Sequence, residues 1–402
     1  MSEPMIRRRT LLSLVASLSA AATVAVGVVT PVSAFSWREP IQVSASGRAF
    51  ADPGALARAG STTGLAYIET TSTQSRVYFK RSTNGGASWS HRKAISGTIG
   101  QPLNVSLSAR GTRFDIVWNQ LVGGTARVMH ALSTDSGATW SRARLSPASE
   151  NAHDPRVAGD GSGRVVVVWA GGQIGGVQSI WTRVSTDGGS SFGARVALAI
   201  PVSVSSAKPV VAIGVSPTIH VAYNGNGTVI YQRSTDGATW STPRVIASGV
   251  DTAGSPGLAA RHSVVVAFTR ISGIDSWIKY RASNDDGANW ESAQQLTTKA
   301  ANNATGVVLD ERGGIYRAVF SRCLTDPCAD DAIATYVRES ICCAPSRWLA
   351  MRRVSPVSQQ RAIPIGVTAG VKGRLGAAKT IVAWYRQDGG GSVLQVWTRR
   401  ES

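Results

Sequence analysis

Ser82-Thr83-Asn84-Gly85-Gly86-Ala87-Ser88-Trp89 decides the fold, because it returns along the chain. It comes back as Ser133-Thr134-Asp135-Ser136-Gly137-Ala138-Thr139-Trp140, as Ser185-Thr186-Asp187-Gly188-Gly189-Ser190-Ser191-Phe192 and as Ser283-Asn284-Asp285-Asp286-Gly287-Ala288-Asn289-Trp290. A copy shorter by one residue runs Ser234-Thr235-Asp236-Gly237-Ala238-Thr239-Trp240. The first serines stand 51, 52, 49 and 49 residues apart. Turn residues at a period near ~50, set between alternating apolar runs, predict one four-stranded propeller blade per repeat.

The flanks of each copy repeat too. Upstream lies a strand-like run such as 76–81 or 179–184, and before it a run ending in an aromatic, such as 115–118 or 165–169. Before that comes a segment opening on proline, at Pro102 or Pro155. Downstream, a short basic run leads from the box aromatic to an aliphatic: Trp89 to Ile95, Trp140 to Leu145, Phe192 to Leu198, Trp240 to Ile246 and Trp290 to Leu296. Trp37 to Val43 and Trp348 to Val354 repeat this run without an intact box, which makes seven. Phe35-Ser36-Trp37 reads as the end of a box with its outer strand, and 396–402 as the strand that leads into a box. The expected fold is therefore all-β: a seven-bladed propeller of four-stranded antiparallel blades, with N- and C-terminal strands sharing the last blade. Such a split blade closes the ring and removes its free edge.

The boxes resemble the Asp-box (BNR) repeat, S-x-D-x-G-x-T-W, of the sialidase-like β-propellers. Intact copies cover 82–290 and the weaker blade pattern covers 35–402. Physically, Asn84, Asp135, Asp187, Asp236 and Asp285 should cap backbone N–H groups of the turn between third and fourth strands. The glycine permits positive φ, and the aromatic packs between blades. The resemblance puts these turns on the face opposite the ligand, so the carboxylates are read as structural rather than catalytic.

Composition narrows the function. The chain has 402 residues, 43% hydrophobic and 16% charged, so it can bury a large core and disorder is excluded. Lys+Arg number 42 against 24 Asp+Glu, for a net charge of +18. Most of that excess is arginine, and much of it (Arg38, Arg92, Lys93, Arg142, Arg144, Arg195, Arg244, Arg352, Arg353) falls on expected outermost strands. Charge on an edge strand resists pairing with other chains. It also draws anionic envelope polymers or acidic glycans without defining a groove. Residues 1–34 read as an export signal, with Arg7-Arg8-Arg9-Thr10-Leu11-Leu12 like a twin-arginine motif, an apolar run, and Ser33-Ala34 at a cleavage site. The alternative is a retained anchor. A secreted or envelope-associated propeller over 35–402 follows, with no membrane span after cleavage, and export argues against a nucleic-acid partner.

Candidate site residues come from aligning the second strands on their aromatics: Tyr67, Trp118, Trp169, Tyr223, Phe268, Phe320 and Trp384. Two residues on stand Glu69, Gln120, Gly171, Gly225, Arg270, Arg322 and Arg386. Three consecutive blades thus present arginine at one structural position, with glutamate in the next. Guanidinium groups that converge can each fork onto a carboxylate, sulfate or phosphate. Sialidases hold the sugar carboxylate with an arginine triad, and Arg270, Arg322 and Arg386, with Gln120 beside them, are similar in kind. The resemblance also implies a tyrosine nucleophile with a glutamate partner, an aspartate acid/base and an R-I-P arginine. Asp52, Glu69 and Tyr385 are the candidates for the first three. The stretch 50–56 has the proline but no arginine before it, which puts catalysis in doubt and favours a non-catalytic binding or scaffold propeller. Tyr385 alternates with Arg386 and so belongs to the other side of its strand. Glu150, His153 and Asp154 form a second polar set on a loop, where solvation is the expected state. Histidines are scattered, so no metal and no cofactor are expected. Of the four cysteines, Cys323 and Cys328 are close enough to pair, whereas Cys342 and Cys343 are left as an adjacent pair or as free thiols.

Overall fold

A computed structural model describes residues 36–402 except 46–47, 51–54, 72, 173–175, 199–201, 204–206, 252, 299–302, 326–331, 342–343, 357–360, 373–377 and 388–393. Within it the alternating apolar runs form seven antiparallel sheets. Their first, innermost strands include Gln101–Arg110, Ala152–Gly159, Val210–Ile213, Gly257–Ala260, Ala304–Arg312 and Ala362–Lys372. In the first blade that place is shared by Arg48–Phe50 and Leu56–Ala59, which both pair Thr62–Thr70. Outer strands are short, from Lys93–Ala94 to Arg244–Ser248. The seven-bladed propeller expected from the repeats is the observed architecture.

Closure follows the split blade. Ile41 and Gln42 pair with Thr398 and Trp397, and Trp37 bridges to Glu401. The Val43 N–H donates to the Val396 carbonyl at 2.8 Å, and the Val396 N–H returns to the Ser44 hydroxyl at 3.0 Å. All seven aliphatics that end the outer runs (Val43, Ile95, Leu145, Leu198, Ile246, Leu296 and Val354) are buried. In five blades a hydroxyl follows: Ser44, Ser96, Ser146, Thr297 and Ser355 each accept the N–H of a third-strand residue. This plug is a repeat feature as regular as the box.

The boxes are turns closed by their own side chains. In one, Ser133 Oγ receives the Gly137 N–H at 2.8 Å and donates to Asp135, whose carboxylate takes the Thr139 N–H at 2.8 Å and its hydroxyl at 2.5 Å. Asp187, Asp236, Asp285 and Asn84 repeat the pattern. These bonds to the charged form hold Asp135 and Asp187 far below the usual carboxylate range, and Asp236 and Asp285 at about 2.

The box glycine has a second cause besides its φ. A Cβ on Gly137 would lie 2.3 Å from the Phe79 ring of the preceding blade, and one on Gly287 would lie 1.9 Å from the Tyr231 hydroxyl. The box aromatic then meets the same neighbour edge-on: Trp140 on Phe79 at 5.0 Å and Trp290 on Tyr231 at 4.8 Å. The box turn is thus the joint between blades. Basic side chains staple it further, with Arg81 donating to the Ser136 carbonyl, Arg233 to that of Asp286 and Arg244 to that of Ala288. The expected basic rim is therefore partly fastened to the next blade rather than freely solvated.

Candidate functional site

In an antiparallel four-stranded blade the turns joining first to second and third to fourth strands share one face. The loops joining second to third, and fourth to the next first strand, share the other. The five box turns occupy the former, leaving the latter as the candidate ligand face. All seven second-strand aromatics are buried at one level, which fixes the register of the residues two places on.

Those residues meet different fates. The Glu69 carboxylate, 5% exposed, receives Arg92 from the outer strand of its own blade, and Arg92 stacks 4.7 Å from the Tyr78 ring. Gln120 takes the Trp118 indole N–H at 2.7 Å and gives its amide to the Ile99 carbonyl at 2.8 Å, so it ties its blade together. Gly171 leaves room for Glu150, whose Oε1 would lie 2.1 Å from an added Cβ. Glu150 in turn pairs with Arg195 at 2.5 Å, and Arg195 stacks 4.0 Å from the Trp181 ring.

The three arginines hold equivalent places on adjacent blades. Arg270 faces Trp277 across the sheet and donates to the Ser248 carbonyl. Arg322 lies over the Tyr336 ring at 5.9 Å and against Met351 Sδ at 3.4 Å. Arg386, half-buried, sits between Ala362 and Gln395. Arg270 thus reaches the outer strand of the preceding blade, Arg322 contacts residues of its own, and Glu69 is engaged by Arg92. Tyr385 packs against the hydrophobic cluster around Tyr67 and Ile381. Asp52 and Cys328 lie outside the described residues, as do Cys342 and Cys343. Cys323 is disulfide-bonded. Among the described residues no group of His, Cys, Asp and Glu could hold a metal ion, and no helix is long and apolar enough to cross a membrane.

The second polar set departs from expectation. His153 and Asp154 belong to the innermost strand Ala152–Gly159 and are buried, because a bulge between His153 and Arg156 folds them inward. His153 Nδ1 lies 3.0 Å from Asp154 Oδ2, and His153 Nε2 has no hydrogen-bond partner. Asp154 takes a left-handed backbone at φ 51°, as do Asn104 at φ 51°, Lys208 at φ 39° and Gly306 at φ 66°. Each stands two residues before an equivalent first-strand position (Ser106, Arg156, Val210 and Val308). Four blades thus enter the central channel through the same kink, three of them with a polar side chain for which that backbone is unfavourable. Behind the kinks Arg156, 7% exposed, lines a cavity of about 110 Å3 whose other lining residues are apolar or small. Asp154 and Lys208 each precede a proline (Pro155, Pro209), which disfavours the right-handed helical region for the residue before it, whereas Asn104 and Gly306 precede valine.

No family model matches the chain, and no curated protein matches it. Solved structures do. The polysaccharide lyase Uly1 aligns over 91% of this chain and 99% of its own, with TM-score 0.57 at 8% identity. A protein of unknown function from Dyadobacter fermentans DSM 18053 aligns over 91% and 98%, with TM-score 0.52 at 13% identity. The phage phi92 endosialidase aligns over 92% and 69%, with TM-score 0.50 at 10% identity. At such identities the likeness is one of fold alone.

Proposed function

We propose that this chain is an exported propeller that recognises acidic glycans on the face opposite its box turns. The observation that carries the reading is the arginine at one register position in three adjacent blades, Arg270, Arg322 and Arg386, each just beyond a buried second-strand aromatic. A guanidinium lying over an aromatic ring, as Arg322 does over Tyr336, has a fixed plane and directs its N–H fork along it, which suits a carboxylate. Glycan-processing proteins among the fold neighbours, a polysaccharide lyase and an endosialidase, are compatible with a carbohydrate ligand.

Binding without hydrolysis is the better supported form of this reading. Glu69 is neutralised by Arg92, and Tyr385 packs on the core, so neither is poised as a sialidase-type pair. The test is a fluorogenic sialoside assay with a glycan array on the chain from Phe35. The reading expects retention of acidic over neutral glycans and no turnover. Turnover would assign exo-sialidase-type hydrolysis to the same face, and absence of any acidic preference would contradict the reading.

A further inference from the structure

The opposite mouth of the central channel, on the box face, gathers charge that the glycan reading does not use. The first strand of the second blade ends on Arg110 and that of the sixth on Arg312. Arg58 lies next to the end of the first blade's strand, and Arg261 just beyond that of the fifth. Together with His262 they line one open basin of about 450 Å3, whose remaining lining residues are Gly60, Gly111, Gly313 and Val215. The three glycines are turn residues with positive φ.

Among the described residues no carboxylate lines this basin. The nearest acids, Asp310 and Glu311, lie deeper, and Glu311 is buried, taking the Gly314 N–H at 2.6 Å. Arg261 approaches Glu311 only to 3.9 Å and His262 to 3.5 Å. Arg110 donates to the carbonyl of its neighbour Ala109, and Arg312 to that of Arg58. Among the described residues neither has a carboxylate within ion-pair distance. Asp160, at the rim, is turned onto Ser162 and Arg164 of its own loop. Burial first, then the charges of Arg312 and Arg261 against the help of Asp310 and Glu311, holds the Arg110 guanidinium below its ordinary value. Arg110 and Arg312 thus stand among like charges, and Glu311 is shared between Arg261 and His262.

We infer that this basin is a binding site for a small multivalent oxyanion of the phosphate or sulfate class. Four guanidinium groups from separate blades reach a tetrahedral anion from several sides, so its oxygens receive donors that a single loop could not supply. Because the donors come from blades one, two, five and six, an anion here also ties opposite sides of the ring together. The inference stands apart from the glycan reading, since the two sites lie on opposite faces.

Calorimetric titration with inorganic phosphate, with sulfate as a second arm and chloride at matched ionic strength as control, tests it. Phosphate should bind wild type and raise its melting temperature. Arg110→Ala and Arg312→Ala should each weaken phosphate about tenfold or more, and Arg322→Ala on the other face should leave it within about twofold. Arg261→Gln, on an exposed side chain, should act in the same direction and carries the test if either of the first two fails to fold. Sulfate binding with the same dependence would widen the ligand to tetrahedral dianions. Phosphate affinity unchanged by Arg110→Ala or Arg261→Gln, or an effect reproduced by chloride, would overturn the inference. Loss of phosphate with Arg322→Ala alone would move the anion to the glycan face and refute the basin.

Discussion

At the residue scale, His220 shows how burial rather than charge sets behaviour. It sits inside a blade joint, with Nδ1 2.7 Å from the Tyr231 hydroxyl and Nε2 3.2 Å from Asp286 Oδ1. Burial pushes it down to about 4, with Asp286 opposing. The unfolded chain takes up this proton first, near the ordinary value of ~6.5, so stability present above that pH is lost as pH falls toward 4. The box carboxylates act in a lower window: Asp236 and Asp285, held at about 2, contribute above the ordinary ~3.8 and lose that contribution as pH falls further. Melting temperature against pH should therefore decline in two stages, and His220→Gln should flatten only the upper one. A single decline below pH 4 in wild type would refute this role for His220. Asp135→Ala should lower the melting temperature by about 2 °C through its lost cap and leave glycan binding unchanged. Loss of binding at unchanged melting would place the boxes in the functional site.

Among elements, the box turn unites cap, φ and packing. Gly137→Ala has to overcome both a backbone at φ 86° and a Cβ 2.3 Å from Phe79, so it should cost about 2–4 kcal/mol, measurable by denaturant unfolding. The same substitution at Gly111, which has positive φ but open space, should cost about half of that or less. Equal effects at the two sites would mean the interblade contact is unimportant. The boxes and the aliphatic ends were legible in the sequence because a turn cap and a buried plug demand fixed residue types at fixed spacing. The entry kinks at Asn104, Asp154 and Lys208 were not: a left-handed backbone leaves no residue signature beyond a nearby proline. For the same reason His153 and Asp154 read as a solvated loop although the bulge buries them. The arginine register was legible, since it hangs on buried aromatics. Where those side chains go was not, because Arg92 reaches Glu69 from a strand whose own pattern reads only as a charged edge.

For the whole molecule, the ring depends on a few residues at each end. Removing 35–43 deletes the pairing of Ile41 and Gln42 with the last strand and unplugs Val43, leaving Val382 and Trp384 one strand nearer solvent. Melting should fall by roughly 10 °C or more, and a chain starting at Ser46 that melts like wild type would refute closure. The basic excess, read from sequence as a rim, is divided in the folded molecule among interblade staples, the box-face basin and the register trio, and only the trio carries the glycan reading. Calorimetric titration of sialic acid into wild type, Arg322→Lys and Arg322→Ala tests that reading most directly. The account predicts that Arg322→Lys, which keeps the charge and loses the fork, weakens binding nearly as much as Arg322→Ala. Equal affinity in all three proteins would contradict it.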